Sequence, residues 1–342
     1  MAVQEGRLRS IATTSLSESN MTVKLICASH SPLMEFASPA EKRQEEVVRA
    51  TFEKLATEVQ AYNPTLIITF GPDHFNGFFY DLMPSFCVGI RATAAGDWDY
   101  GKDNAKIDVP EQTALGLVRK VLDEGVDVAY SYRMQADHGV TQPLHFLCNG
   151  KLDRYPTIPI FINGAAAPMP TTKRTLALGR AVGQFIKSLN LENERVLILG
   201  TGGLSHDPPT PQMGAVPPEV EEFLICGRHP TAEARQARQA KIISVGQRLA
   251  AGDKSISVPL NPEWDASLLE LFKHADFASI EKMTEDDIRK EGGRGGQEVR
   301  SWMAAFAALA ELGQYDMTIH CYEAISEWIA GFGIVSAELK GE

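Results

Sequence analysis

Short, almost unbroken apolar runs alternate with segments of helical spacing over the first two thirds of the chain. The runs cover residues 23–28, 66–70, 128–132, 158–162 and 196–199. Each is rich in β-branched or aliphatic side chains and closes on turn-forming residues, the pattern of a buried strand. Between them, residues 41–62 carry Val47, Phe52, Leu55 and Val59 at helical intervals, and residues 112–123 and 172–189 also fit helices. Strand–helix alternation with strands apolar on both faces predicts an α/β fold, a mostly parallel central sheet flanked by helices. From Thr231 onward helical spacing takes over, in residues 232–251, 262–275, 283–290 and 297–313, so the C-terminal third is expected to be helix-rich. Prolines 208, 209, 211, 217 and 218 make a stiff irregular stretch, expected to be a surface loop rather than a lid.

Composition narrows the setting. Hydrophobic residues make up 44% and charged residues 23%, which excludes wholesale disorder. A net charge of −11 disfavours a general binder of phosphate backbones. No apolar run approaches the roughly 20 residues of a membrane span. Residues 1–20 lack the apolar core of a secretory signal and are expected to be a disordered extension, with Met21 a candidate alternative start. The five cysteines are odd in number and have no C-x-x-C spacing, which argues against a disulfide framework and for a reducing cytoplasm.

Four of the eight histidines lie just past predicted strand ends. His30 follows VKLICAS, His74 follows TLIITFGPD, His206 follows VLILGTGGLS, and His138 lies beyond VAYSY in RMQADHG. In an open parallel sheet the carboxyl ends of the strands share one edge, and ligands bind there. Each histidine alone reads more readily as an ordinary surface or hydrogen-bonded loop side chain; the shared placement argues for the set. His145 is expected to pack or be solvated, and His229, His274 and His320 to lie on the surface. Imidazole binds borderline metals when neutral and moves protons near its own pKa. Two histidines and one carboxylate with open positions form the ligand pattern of non-haem Fe(II) oxygenases, so a carboxylate is the part to find.

Glu298 follows GGRGGQ and heads EVRSWMAAFAALAELG, where Glu298, Trp302, Ala305, Phe306 and Leu309 would share a helix face. A carboxylate heading an apolar face is partly buried and needs a partner. It also fits a first-turn residue favoured by the helix dipole. Asp73, Asp137 and Asp207 each adjoin a histidine and are rival ligands or orienting partners. GTGGLSH lacks the P-loop lysine and the G-x-G-x-x-G spacing, and H-E-x-x-H is absent. Gly203-Leu-Ser205-His-Asp207 is one glycine short of a nucleophile elbow, which leaves Ser205 a weak nucleophile.

Longer stretches carry a resemblance. They are ASHSPLM at 28–34, FGPDHFNGFFYDLMPSFCVG at 70–89, SYRMQADHG at 131–139, FINGAAAPMP at 161–170 and GTGGLSHDPP at 200–209. LNPEWD at 260–265, the spacing of Glu298 and Trp302, and EWIAGFG at 327–333 extend it. Together they resemble the class III extradiol catechol dioxygenases, from about Met21 nearly to the end. The resemblance implies Fe(II) held by His30, His74 and Glu298, with His138 and His206 as an acid–base pair. It implies O₂-dependent ring opening of a catechol bearing a carboxylate side chain, in the degradation of aromatic compounds, by a homo-oligomer, a tetramer. Because the histidines lie in the α/β part and Glu298 in the helical part, residues 21–342 are expected to be one catalytic domain, although a length of 342 residues alone suggests about two. Two other readings stay open: a zinc-dependent hydrolase on the same scaffold, which metal analysis would separate, and a non-catalytic relative that binds a partner in the cleft, which would hold no stoichiometric metal.

Overall fold

The computed structural model describes residues 22–35, 42–96, 98, 105–189, 194–253 and 255–340. The expected extension at residues 1–20 lies outside them. The strands are β1 (Thr22–Ala28), β2 (Leu66–Gly71), β3 (Phe86–Gly89), β4 (Ala92–Ala94), β5 (Lys106–Ile107), β6 (Ala129–Ser131), β7 (Met134–Ala136), β8 (Thr157–Ile162), β9 (Arg195–Thr201), β10 (Tyr315–Ile325) and β11 (Ala330–Leu339). The helices are α1 (Lys42–Tyr62), α2 (Glu111–Asp123), α3 (His138–Leu147), α4 (Thr172–Ser188), α5 (Pro218–Cys226), α6 (Ala232–Ala250), α7 (Pro262–Lys273), α8 (Phe277–Glu281), α9 (Glu285–Gly292) and α10 (Arg300–Leu312). Among the described residues no helix is long and apolar enough to cross a membrane.

The central strands are mostly apolar on successive residues because both faces of the sheet are covered. In β2, Ile68 and Phe70 enter one core and Ile67 the other. In β9, Val196 and Ile198 enter one core, Leu197 and Leu199 the other, the alternation that strand geometry imposes. The large sheet runs β10-β11-β1-β9-β2-β8-β3-β6. Its centre, β1, β9, β2 and β8, is parallel, with Val23 opposite Val196, Leu66 opposite Val196 and Ile68 opposite Ile158. The carboxyl ends of these strands therefore share one edge. A small sheet, β5-β4-β7, lies apart in the ladder.

α10 is buried on every side, with Arg300 through Leu309 all inaccessible. Its alanines let it approach α4 closely. A Cβ on Gly179 would lie 2.3 Å from the Ala304 carbonyl oxygen, and one on Gly183 2.6 Å from that of Ala308.

The expected α/β architecture is present, with three differences. The C-terminal third is helix-rich only as far as Leu312; the antiparallel hairpin β10–β11 then pairs along β1. Gly331 and Gly333 weaken the strand pattern there. They are glycines because a Cβ on Gly331 would sit 2.2 Å from Asp265 and one on Gly333 3.0 Å from Leu204. The run at 128–132 is a short strand at the sheet's end, and its Tyr130 and Tyr132 are exposed rather than buried. The start of the last long helix falls at Arg300, two residues beyond Glu298.

Candidate active site

Each site residue is held by neighbours that leave its backbone little freedom. His30 follows β1 between two pinned serines. Ser29 donates its backbone N–H to Gly333 (2.8 Å), and Ser31 donates its N–H to Gln142 Oε1 (2.8 Å) and its hydroxyl to the Trp328 carbonyl (2.8 Å). His74 follows β2 in a turn tied by Asp73, whose carboxylate accepts from the backbone N–H groups of Asn76 (3.1 Å), Gly77 (2.8 Å) and Phe78 (3.1 Å). His206 follows β9; its N–H donates to Gly292 (2.8 Å), and its carbonyl accepts from Gly295 (3.0 Å).

His138 arrives by a different route from the one its sequence position suggests. It follows β7 of the small sheet, not β6, and is the first residue of α3, capped by Asp137, which accepts from the Gly139 N–H at 2.9 Å. Glu298 lies in a 3-10 turn, Gly295–Val299, ahead of α10 rather than on it. The glycine run before it is an ordered seat. A Cβ on Gly295 would lie 2.2 Å from the His206 ring, and one on Gly202, at φ +126°, 2.9 Å from Glu298.

These five side chains converge. Glu298 Oε1 lies 3.1 Å from His74 Nε2 and 3.1 Å from His206 Nε2, and Oε2 lies 3.5 Å from His30 Nε2. The rings of His74 and His138 stack at 4.3 Å, and His30 meets them edge-on at 5.3 and 5.4 Å. The other histidines stay outside. His145 packs on Phe146 (5.8 Å), His274 meets Glu270 (3.2 Å) and His229 is exposed. His320, expected on the surface, is half-buried and bonded to Ser336 (2.8 Å). Ser205 is buried and donates its hydroxyl to Asp265 (2.7 Å) while accepting from the Asn261 N–H (2.9 Å), a structural role.

Two tautomers are fixed by these partners. His206 Nδ1 meets the Leu204 carbonyl (3.0 Å), which only accepts, so Nδ1 carries hydrogen. His74 Nδ1 meets Asp137 Oδ2 (2.9 Å) and donates likewise. Both Nε2 atoms therefore turn toward a carboxylate oxygen, and either they bear protons or a cation stands among them. The charges follow. Burial opposes the charged Glu298 carboxylate, yet His206 and His74 hold it well below the usual carboxylate range. Burial likewise opposes protonation of His74 and His206, but Asp137 and Glu298 raise the former well above the ordinary imidazole value, and Glu298 raises the latter. His30 differs: burial pushes it down to about 3 despite Glu298, with His74 and His138 adding to the fall. Burial, reinforced by Asp137, pushes Asp73 up to about 8.

The donor set fits a divalent metal. His30 Nδ1 is buried without a hydrogen-bond partner, so that ring is not held by hydrogen bonding of its own. The three imidazoles of His30, His74 and His138 offer nitrogens within 4.8 Å of one another. Glu298 lies near two of them, 3.1 Å from His74 Nε2 and 3.5 Å from His30 Nε2, and metal–ligand bonds of about 2.1 Å would place adjacent ligand atoms about 3 Å apart. Asp137 orients a ring, as expected of one of the three aspartates. Asp73 ties a turn, and Asp207 pairs with Arg294 at 2.7 and 3.1 Å.

A cavity opens beside His74 and Glu298, and Pro208, Thr210 and Gln212 help to wall it. The proline-rich stretch is therefore part of the site, not the plain surface loop expected. Arg289 and Arg294 also face this cavity and escaped the sequence reading. The one signal for Arg294 was its place inside the glycine run.

Residues 24–333 match the family described as the catalytic LigB subunit of aromatic ring-opening dioxygenase. A Photorhabdus laumondii protein named 2,3-dihydroxyphenylpropionate/2,3-dihydroxicinnamic acid 1,2-dioxygenase is 58% identical over 318 residues, 93% of this chain and 98% of its own. Proteins of the same name from Cupriavidus pinatubonensis and Rhodococcus rhodochrous are 45% and 44% identical, over 93% and 94% of this chain and 99% and 100% of theirs.

Proposed function

Because this chain belongs to the family of the catalytic LigB subunit of aromatic ring-opening dioxygenases, we propose that it opens the rings of 3-(2,3-dihydroxyphenyl)propionate and 2,3-dihydroxycinnamate with O₂. The first gives 2-hydroxy-6-oxonona-2,4-dienedioate and the second the corresponding trienedioate. The observation that carries the reading is the convergence of Glu298 on His74, His206 and His30 at 3.1, 3.1 and 3.5 Å.

The metal is Fe(II), held by His30, His74 and Glu298. Two imidazoles and one carboxylate leave positions open for further ligands. The Asp137-oriented ring of His74 favours it as one nitrogen ligand, and His30 Nε2, 3.5 Å from Glu298, is placed to be the other. Bound there, Fe(II) supplies a point where the catechol oxygens and O₂ meet and a route for electrons between them.

The protein's own groups handle the protons. His206 keeps Nδ1–H on the Leu204 carbonyl, so Nε2 takes a catechol proton as substrate enters. The proton needed as the ring is cleaved is returned by His206 or donated by His138, which stacks on His74. General acid–base steps of this kind contribute roughly 10²–10⁴-fold each. Burial of His30, His138 and Glu298 keeps bulk water from competing. Residues 21–342 act as one catalytic domain, in the cytoplasm, as a homo-tetramer. The five free cysteines agree with a reducing compartment.

The test is anaerobic reconstitution with Fe(II), then 2,3-dihydroxyphenylpropionate and air, with the yellow ring-opened product followed by absorbance. Stoichiometric iron and product formation are expected, and Glu298→Ala should lose both. Failure to open any catechol, or zinc occupancy with ester or amide turnover, would overturn the reading.

A further inference from the structure

One cavity is lined both by site residues, His74 and Glu298, and by two guanidinium groups, Arg289 and Arg294. Ala165, Met169 and Pro208 supply apolar wall. Both arginines keep donors to spare. Arg294 commits Nε and Nη2 to Asp207 (2.7 and 3.1 Å), and Arg289 commits Nη2 to Glu285 (2.8 Å). A guanidinium has five N–H donors, so each retains some for a ligand.

The local charge is in surplus on the positive side. Arg300, fully buried, spends its donors on neutral acceptors: the Pro170 carbonyl (2.8 Å), the Gln297 carbonyl (3.2 Å) and the Gln297 side-chain oxygen. A guanidinium stays protonated in proteins, so Arg300 adds a positive charge that none of these contacts neutralises. Three guanidinium groups thus share two carboxylates, Asp207 and Glu285. Asp286, 3.9 Å from Arg289 with its side chain 94% exposed, is screened by water. Glu298 is taken up by the histidines.

We propose that Arg289 and Arg294 form the subsite for the carboxylate of the substrate's side chain, with Arg300 supplying the unneutralised charge. This rests on the ring-opening reading above. The side-chain anion is held on a segment only a few residues ahead of Glu298, so recognition of the tail and placement of the catechol oxygens are set by one stretch of chain, 289–298. Asp207 has a second function here: its bidentate hold orients Arg294.

Two measurements test this. On Fe(II)-loaded protein, kcat/KM is compared for 2,3-dihydroxyphenylpropionate and for uncharged 3-propylcatechol. Arg289→Gln should cut the preference for the anionic substrate by about 10- to 100-fold, as expected for loss of charge-assisted hydrogen bonds. The change should fall on KM rather than kcat, and Arg289→Lys should restore part of it. On metal-free protein, 3-phenylpropionate, which has no catechol oxygens, should bind by calorimetry and weaken by a similar factor in Arg289→Gln. An unchanged preference in Arg289→Gln, a wild type indifferent to the tail's charge, or 3-phenylpropionate binding that is absent or insensitive to Arg289 would overturn the subsite. A wild type that opens neither catechol would sink the ring-opening reading instead, and the 3-phenylpropionate titration then decides the subsite alone.

Discussion

Asp137→Asn removes one charge and keeps the shape, so its cost can be worked from the contacts. Asp137 Oδ2 accepts from the His74 N–H (2.7 Å), His74 Nδ1 (2.9 Å) and Asn76 Nδ2 (3.2 Å), while Oδ1 accepts from the Gly139 N–H (2.9 Å). All of its partners are donors, and the carboxylate is 1% exposed. An asparagine has one acceptor oxygen and one donating nitrogen. Placing its oxygen at the Oδ2 position saves three bonds and turns the NH₂ against the Gly139 N–H. That forfeits the cap of α3, about 1 kcal/mol. The bonds to His74 lose charge assistance, about another 1–2 kcal/mol. The expected loss is therefore about 2–3 kcal/mol, with the reverse amide orientation worse. Since Asp137 also fixes the His74 ring, metal affinity should fall about 10–100-fold. Denaturant unfolding of metal-free protein measures the first quantity and competition with a chelator the second. A variant with wild-type stability and wild-type Fe(II) affinity would refute the reasoning, because it would mean that neither the cap nor the ring depends on the charge.

His138→Gln and His206→Gln should retain stoichiometric iron and lose roughly 10²–10⁴-fold in kcat; a fully active variant removes that residue from the proton path. Asp207 is opposed by burial, but the Arg294 side chain and the N–H groups of Val258 and Arg294 hold its carboxyl below the ordinary carboxylate value. With the folded-state pKa below the unfolded value near 3.9, its stabilisation is complete above about pH 4 and is lost as pH falls through the folded value. Asp207→Asn should therefore unfold more easily at pH 7 and have a flatter stability curve in acid, and identical acid branches in wild type and variant would refute this.

Much of the scaffold was legible in local chemistry. The central strands are apolar on successive residues because each face meets a core, and that pattern survives in any context. The hairpin β10–β11 was hidden because Gly331 and Gly333 answer to Asp265 and Leu204, which are distant in sequence. The start of α10 was misplaced because residues 298 and 299 continue the helical spacing while their backbone is the tighter 3-10 turn. His30, His74 and His206 were identifiable because residues just past parallel strands must reach the same sheet edge.

What the sequence settled by itself was the fold class and the family, since strand periodicity and motif are local; it also put forward His30, His74, His138, His206 and Glu298 as candidates. Only the tertiary structure decided how these residues combine. Glu298 stands at 3.1 Å from two imidazoles because the 3-10 turn, not a helix face, carries it against Gly202. Asp137 became the partner of His74, 63 residues away, and Arg289 and Arg294 came to share a cavity with His74 and Glu298. Such pairings depend on how separate segments meet at one sheet edge, and no spacing within a single segment encodes that.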